Sequence, residues 1–129
     1  MQRFYSYDPE TKNSKCIIID GNNKFEGIAT CHPEDREKAG EYRGLTIAET
    51  RANIKMLKHI RDNELVPASK ALEHLNTNLS HSSHYNPSSY EAYMLRRQCR
   101  IKREEIEAIN EQIAILKNFL RDYININIF

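Results

Sequence analysis

Between Ala92 and Tyr123 the apolar positions recur with a regularity that no other stretch of the chain matches. Ala92, Leu95, Cys99, Lys102, Ile106, Ile109, Ile113, Leu116, Leu120 and Tyr123 follow one another at alternating steps of three and four, and Lys102 is the one charged member. A 3.5-residue repeat held over several heptads keeps one stripe turned toward a partner helix, so the pattern predicts a coiled-coil seam rather than a merely amphipathic face. Asn86 is a suitable N-cap, Pro87 occupies the first helical position and Ser88 and Ser89 fill the first turn, which places this helix over residues 86–124.

The start of the chain follows a different period. Residues 3–8 alternate as a partly exposed strand, Asp8-Pro9 and the residues after it form a turn, and Cys16 to Asp20 is a compact β-branched run. Gly21-Asn22-Asn23 tolerates positive φ and suits a tight hairpin into a third strand ending at Cys31. Residues 1–31 thus read as a β-meander, too small to stand uncovered. Residues 32–45 read as a connector with one helical turn. Thr46-Ile47-Ala48-Glu49 is a capping box that opens a helix over 46–79, and Pro67 predicts a kink around residues 63–67 or two helices almost in line. Residues 80–85 are the reversal into the last helix.

The expected fold is therefore α+β in a single domain: a small N-terminal three-stranded antiparallel sheet followed by two long antiparallel helices, the first kinked near Pro67. Helices of thirty residues and more extend roughly 45 to 55 Å, longer than a compact monomer of this size can use. A second apolar stripe, Ala108, Ile115 and Phe119, flanks the seam. Both features predict a coiled-coil-like homo-oligomer, at least a dimer.

Charge narrows the function. Nineteen basic and 18 acidic residues leave a net charge of +1, so any anion must be held by a local cluster and not by a global field. That balance also speaks against general nucleic-acid binding, which ordinarily comes with a basic domain. Three scattered cysteines, with no apolar leader or long apolar run, point to a soluble cytoplasmic protein without a disulfide framework. No metal-ligand spacing, phosphate loop or nucleophile motif occurs, so neither a metal, a cofactor nor a catalytic residue is expected. Cys31 and His32, adjacent on a strand, would point to opposite faces.

The basic cluster Arg96, Arg97, Arg100, Lys102 and Arg103 coincides with the break in the seam. Arg96, Arg100 and Arg103 share a helical face, while Arg97 sits to one side. Two explanations stand side by side: local ion pairs to Glu104 and Glu107, or a phosphate clamp in which guanidinium forks meet phosphate oxygens. Tyr85, Tyr90 and Tyr93 flank the cluster, with His84 and Asn86 beside them. They supply either the edge of a core or rings on which a base can stack. Arg51, Lys55, Lys58 and Arg61 form a second basic face, which reads first as plain solvated surface and second as an anion face.

The order of these elements carries a resemblance. The run Ile28-Ala29-Thr30-Cys31-His32-Pro33-Glu34-Asp35, the helix beginning Ile47-Ala48-Glu49-Thr50-Arg51-Ala52-Asn53-Ile54-Lys55 and continuing through His59-Ile60-Arg61-Asp62-Asn63-Glu64 to Pro67, and the Tyr85-Asn86-Pro87 lead into the last helix resemble a phage Thoeris anti-defence protein of the sponge type. The resemblance implies dimers that assemble into hexamers as trimers of dimers, acting in the host cytoplasm. It further implies sequestration, without cleavage, of a cyclic ADP-ribose immune signal; some members of that family also take up cyclic oligonucleotides. The ligand is then a compact dianion with a purine. On the reading of the residues, Arg96, Arg97, Arg100 and Arg103 would hold its phosphates, and Tyr85, Tyr90 and Tyr93 its base, with His84 and Asn86 nearby. The alternative is a small phage inhibitor, or a nucleic-acid-binding protein, that acts on a macromolecular partner.

Overall fold

A computed structural model describes residues 1–30 and 37–126. Strands β1 (Gln2–Asp8), β2 (Asn13–Asp20) and β3 (Asn23–Thr30) are followed by helix α1 (Glu37–Ile60), a π-helical segment (Arg61–Leu65), helix α2 (Val66–Ser80) and helix α3 (Tyr90–Ile126). The architecture is α+β, as the residue pattern requires. The expected strand end at Cys31 and the helical turn at 32–36 lie outside the described residues. Those residues fall into two compact units, Met1–Lys58 with Ile113–Phe129, and His59–Gln112.

In the first unit the strands form an antiparallel sheet in the order β1-β2-β3. Asp20 pairs with Asn23 across a two-residue loop, and Gly21 at φ 61° takes its first central position. Positive φ there alone marks a type II′ turn, the hairpin connection whose twist matches the strands. At the other hairpin Lys12 adopts φ 58° and donates its N–H to the Asp8 carbonyl at 2.7 Å. Alternation then sorts the side chains. Ser14, Cys16, Ile18, Phe25, Gly27 and Ala29 are buried on one face, where Cys16, Ile18, Phe25 and Ala29 join Ala48 and Ala52 of α1 in one core cluster.

Helix α1 sits on that face at van der Waals distance because three small residues meet there. A Cβ added to Gly27 would lie 1.9 Å from the Ala48 carbonyl oxygen and 2.6 Å from the Ala52 nitrogen. Two polar contacts tie the helix to β1: Tyr5 Oη donates to Glu49 Oε2 at 3.0 Å, and Arg3 donates to Asn53 Oδ1 at 3.1 Å.

Two expected helix boundaries are corrected by the structure, and the break near Pro67 takes a particular form. Thr46 does not cap a helix, since α1 already runs from Glu37. Its hydroxyl instead donates back to the Tyr42 carbonyl at 3.0 Å, the i−4 bond available to a threonine inside a helix. Near the proline, where a kink or two helices almost in line are expected, the π-helical segment Arg61–Leu65 separates α1 from α2. Pro67 lies in the first turn of α2, and the Val66 N–H reaches five residues back to the Arg61 carbonyl. The π-helical turn thus ends directly before the residue that has no N–H to donate. Finally, α3 begins at Tyr90, and residues 81–89 form the connection. Asn86 spends its carboxamide oxygen on the Ser88 N–H at 3.0 Å, so the N-cap falls to Ser89, whose Oγ accepts the Ala92 N–H at 3.2 Å.

In the second unit the π-helical segment and α2 run antiparallel to α3. Arg61 donates to Asn110 and Arg103 donates to Glu73, so one partner advances along the chain as the other retreats. The six seam positions of α3 in this unit, Ala92 to Ile109, are buried or half-buried, with Ala92 and Cys99 buried; the four that belong to the first unit, Ile113 to Tyr123, are likewise buried or half-buried. Lys102, the charged member, is half-buried and donates to Glu105 Oε2 at 3.0 Å. In contrast, α2 contains no buried residue.

Candidate functional site

The first turns of α3 hold most of the side chains singled out from the sequence. Once Ser89 sets the start of the helix, Tyr90, Tyr93, Arg97 and Arg100 fall at i, i+3, i+7 and i+10 on one exposed face, away from Ala92 and Cys99. Tyr90 and Tyr93 are 75% and 53% exposed, unusual for rings of this size.

The arginines do not act as one cluster. Arg96 faces back to the connection, donating from one terminal nitrogen to Tyr85 Oη at 3.3 Å and from the other to the Pro87 carbonyl at 2.9 Å. This fork pins the turn before the helix onto the helix's second turn. Arg103 is engaged by Glu73 of α2. Arg100 approaches Glu104 at only 3.9 Å, with both side chains largely exposed. Arg97 makes no hydrogen bond or ion pair among the described residues. The face shared by Arg96, Arg100 and Arg103 is therefore divided by packing, and the arginine placed to one side is the unpaired one. Asn86 is committed to its own turn, and the His84 N–H donates to Ser82 Oγ at 3.4 Å.

The buried Cys99 thiol is pushed up in pKa by burial first and by the Glu73 carboxylate second, against the opposing effect of Arg103. Cys16 is raised chiefly by burial, with a further contribution from Glu49. Both described cysteines are thus held as thiols, poor nucleophiles at neutral pH. Among the described residues no group of three His, Cys, Asp or Glu side chains could hold a metal ion, and no helix is long and apolar enough to cross a membrane.

A second basic locus belongs to the first unit. Arg51, Lys55 and Lys58, at i, i+4 and i+7 of α1, line a concavity of about 340 Å³ together with Ile54 and with Gly27 and Ile28 of β3. Arg61, grouped with them from its spacing, is drawn away by Asp62 at 2.8 Å and Asn110 at 2.9 Å. The strand residues were not legible as part of a site. Their signal lies in strand register, which decides the edge that a strand residue faces and shows only once the hairpin is closed. Compared with protein-family models, curated proteins and solved structures, the chain matches none.

Proposed function

We propose that this chain binds a small phosphate-bearing nucleotide and holds it without cleaving it, acting as a sponge for a cyclic ADP-ribose-type immune signal. The observation that carries the reading is the exposed stripe of Tyr90, Tyr93 and Arg97, in which two open aromatic rings precede a guanidinium with no partner among the described residues. A purine stacks on the rings, a geometry worth about 1 to 3 kcal/mol per base. The Arg97 fork takes phosphate oxygens, with Arg100 beside it because its bond to Glu104 is long and easily exchanged. Arg96 positions Tyr85 and does not itself bind.

A stripe on one helix is convex, so tight capture requires a second surface. We assign that role to another copy of this chain, in a homo-oligomer built on the half-buried seam of α3 and its exposed neighbours Ile115 and Phe119. Burial between copies raises each charge-assisted hydrogen bond to about 1.5 to 3 kcal/mol, enough for a few of them to support nanomolar binding. Sequestration of this kind works in the cytoplasm of an infected bacterium, where the signal is made.

The test is capture and release. Purified protein is mixed with cyclic ADP-ribose, desalted and heat-denatured, and the supernatant is read by mass spectrometry. Intact nucleotide in near-stoichiometric amount is expected, falling at least tenfold in Arg97→Ala and Tyr93→Ala. Release of a hydrolysed product would make the protein an enzyme. Release of nothing, with a macromolecule co-purifying instead, would favour an inhibitor of a larger partner.

A further inference from the structure

The concavity on the first unit shares no residue with the tyrosine–arginine stripe. Its charge is unusual: three cations line it and no carboxylate does. Two of those cations are fixed in place by the edge of the sheet. Because Asp20 and Asn23 close the hairpin as a hydrogen-bonded pair, every second residue along β3 faces away from β2, and Glu26 and Ile28 present their backbone groups at the open edge. Their carbonyls are covered by α1. Lys55 Nζ donates to the Glu26 carbonyl at 2.6 Å, and Arg51 donates to the Ile28 carbonyl at 2.7 Å.

Edge carbonyls meet these two side chains as neutral acceptors, so neither hydrogen bond brings a counter-charge into the concavity. The same register turns the Glu26 and Ile28 N–H groups to this edge as further donors. Lys58, one helical step beyond, is half-buried and makes no hydrogen bond or ion pair among the described residues. The neighbouring Glu26 carboxylate is held below the usual range mainly by its hydrogen bond from Lys15, 3.1 Å away, with smaller contributions from the charges of Lys24 and Lys55. Its ion pair is thus with a residue outside the concavity. Ile54, 8% exposed, forms an apolar wall.

We infer that Arg51, Lys55 and Lys58, with the β3 edge at Ile28, form a second anion site that takes a phosphate or pyrophosphate group. Three like charges at helical spacing repel one another, and a dianion seated among them removes that repulsion while accepting from fixed donors. A volume of about 340 Å³ admits a pyrophosphate or a mononucleotide and excludes a folded nucleic acid.

The experiment is a titration of the full-length protein with sodium pyrophosphate at constant ionic strength, followed by backbone amide shifts. Saturable shifts at Gly27, Ile28 and Ile54 are expected. They should weaken at least tenfold in Lys58→Gln, which disturbs no contact that holds α1 to the sheet, and persist in Arg97→Ala, which separates this site from the proposed stripe. Adenosine monophosphate and sulfate as second and third ligands then separate a nucleotide preference from a general dianion preference. Linear, non-saturating shifts, or saturable shifts at those residues that survive Lys58→Gln unchanged, would overturn the assignment.

Discussion

Around Ile18 the chain closes a core with its own atoms, whereas along α2 not one side chain is buried. The contrast is not one of hydrophobicity, since α2 carries leucines at helical spacing just as the strands carry isoleucines. It is one of geometry. A pleated strand sends alternate side chains onto a single helix laid across it, and Gly27 against Ala48 and Ala52 brings the two backbones close enough to exclude water. Two antiparallel helices meet along a line, so each seam residue is covered on one side and open on the other, as the half-buried positions of α3 show. The sheet-bearing unit closes its core on both sides, whereas the helical unit leaves one side of its seam open.

Substitutions sharpen this contrast in order of their expected size. Gly27→Ala should have the largest effect, about 4 kcal/mol or more in urea unfolding, because its methyl group meets helix backbone that cannot turn aside. Gly21→Ala, at positive φ in open space, should cost only about 1 to 2 kcal/mol and serves as its control. Ile18→Ala should cost about 3 kcal/mol, while Leu75→Ala, at a side chain 54% exposed, should cost less than about 1 kcal/mol at low protein concentration. Equal losses at Ile18 and Leu75 as concentration rises would show that another copy covers α2.

Ser14 presents a smaller and opposite effect. Its hydroxyl is fully buried and finds no hydrogen-bond partner among the described residues, so Ser14→Ala should stabilise the sheet unit by about 1 kcal/mol. Alkaline pH probes the same region. The Cys16 thiol, raised mainly by burial, and the Tyr5 phenol, raised by burial and then by its hydrogen bond to Glu49, keep their protons longer folded than unfolded. Their contribution is complete below the ordinary thiol and phenol ranges. It is lost as pH climbs through them, and Tyr5→Phe with Cys16→Ala should flatten that decline in a pH series of melting temperatures. The smallest effect belongs to the helical unit. Arg100→Ala breaks an exposed ion pair at 3.9 Å and should change stability by less than about 0.5 kcal/mol, while still lowering nucleotide capture.

Periodicity by itself determined the α+β order of elements, the hairpin at Gly21 and the face of α3 that turns inward, because these depend on local steps of two and 3.5 residues. The same arithmetic put the tyrosines and arginines on the first turns of α3. Only the tertiary structure decided which of them are spent on the fold: Arg103 on Glu73, thirty residues away, and Arg96 on the turn at Tyr85 and Pro87. It likewise decided that α1 begins at Glu37 ahead of the capping box, and that the edge of β3 joins Arg51, Lys55 and Lys58 around one concavity. The reason is common to all of these. A side chain's partner, and a backbone group's free direction, are set by residues far off in the chain, and no spacing between neighbours records them.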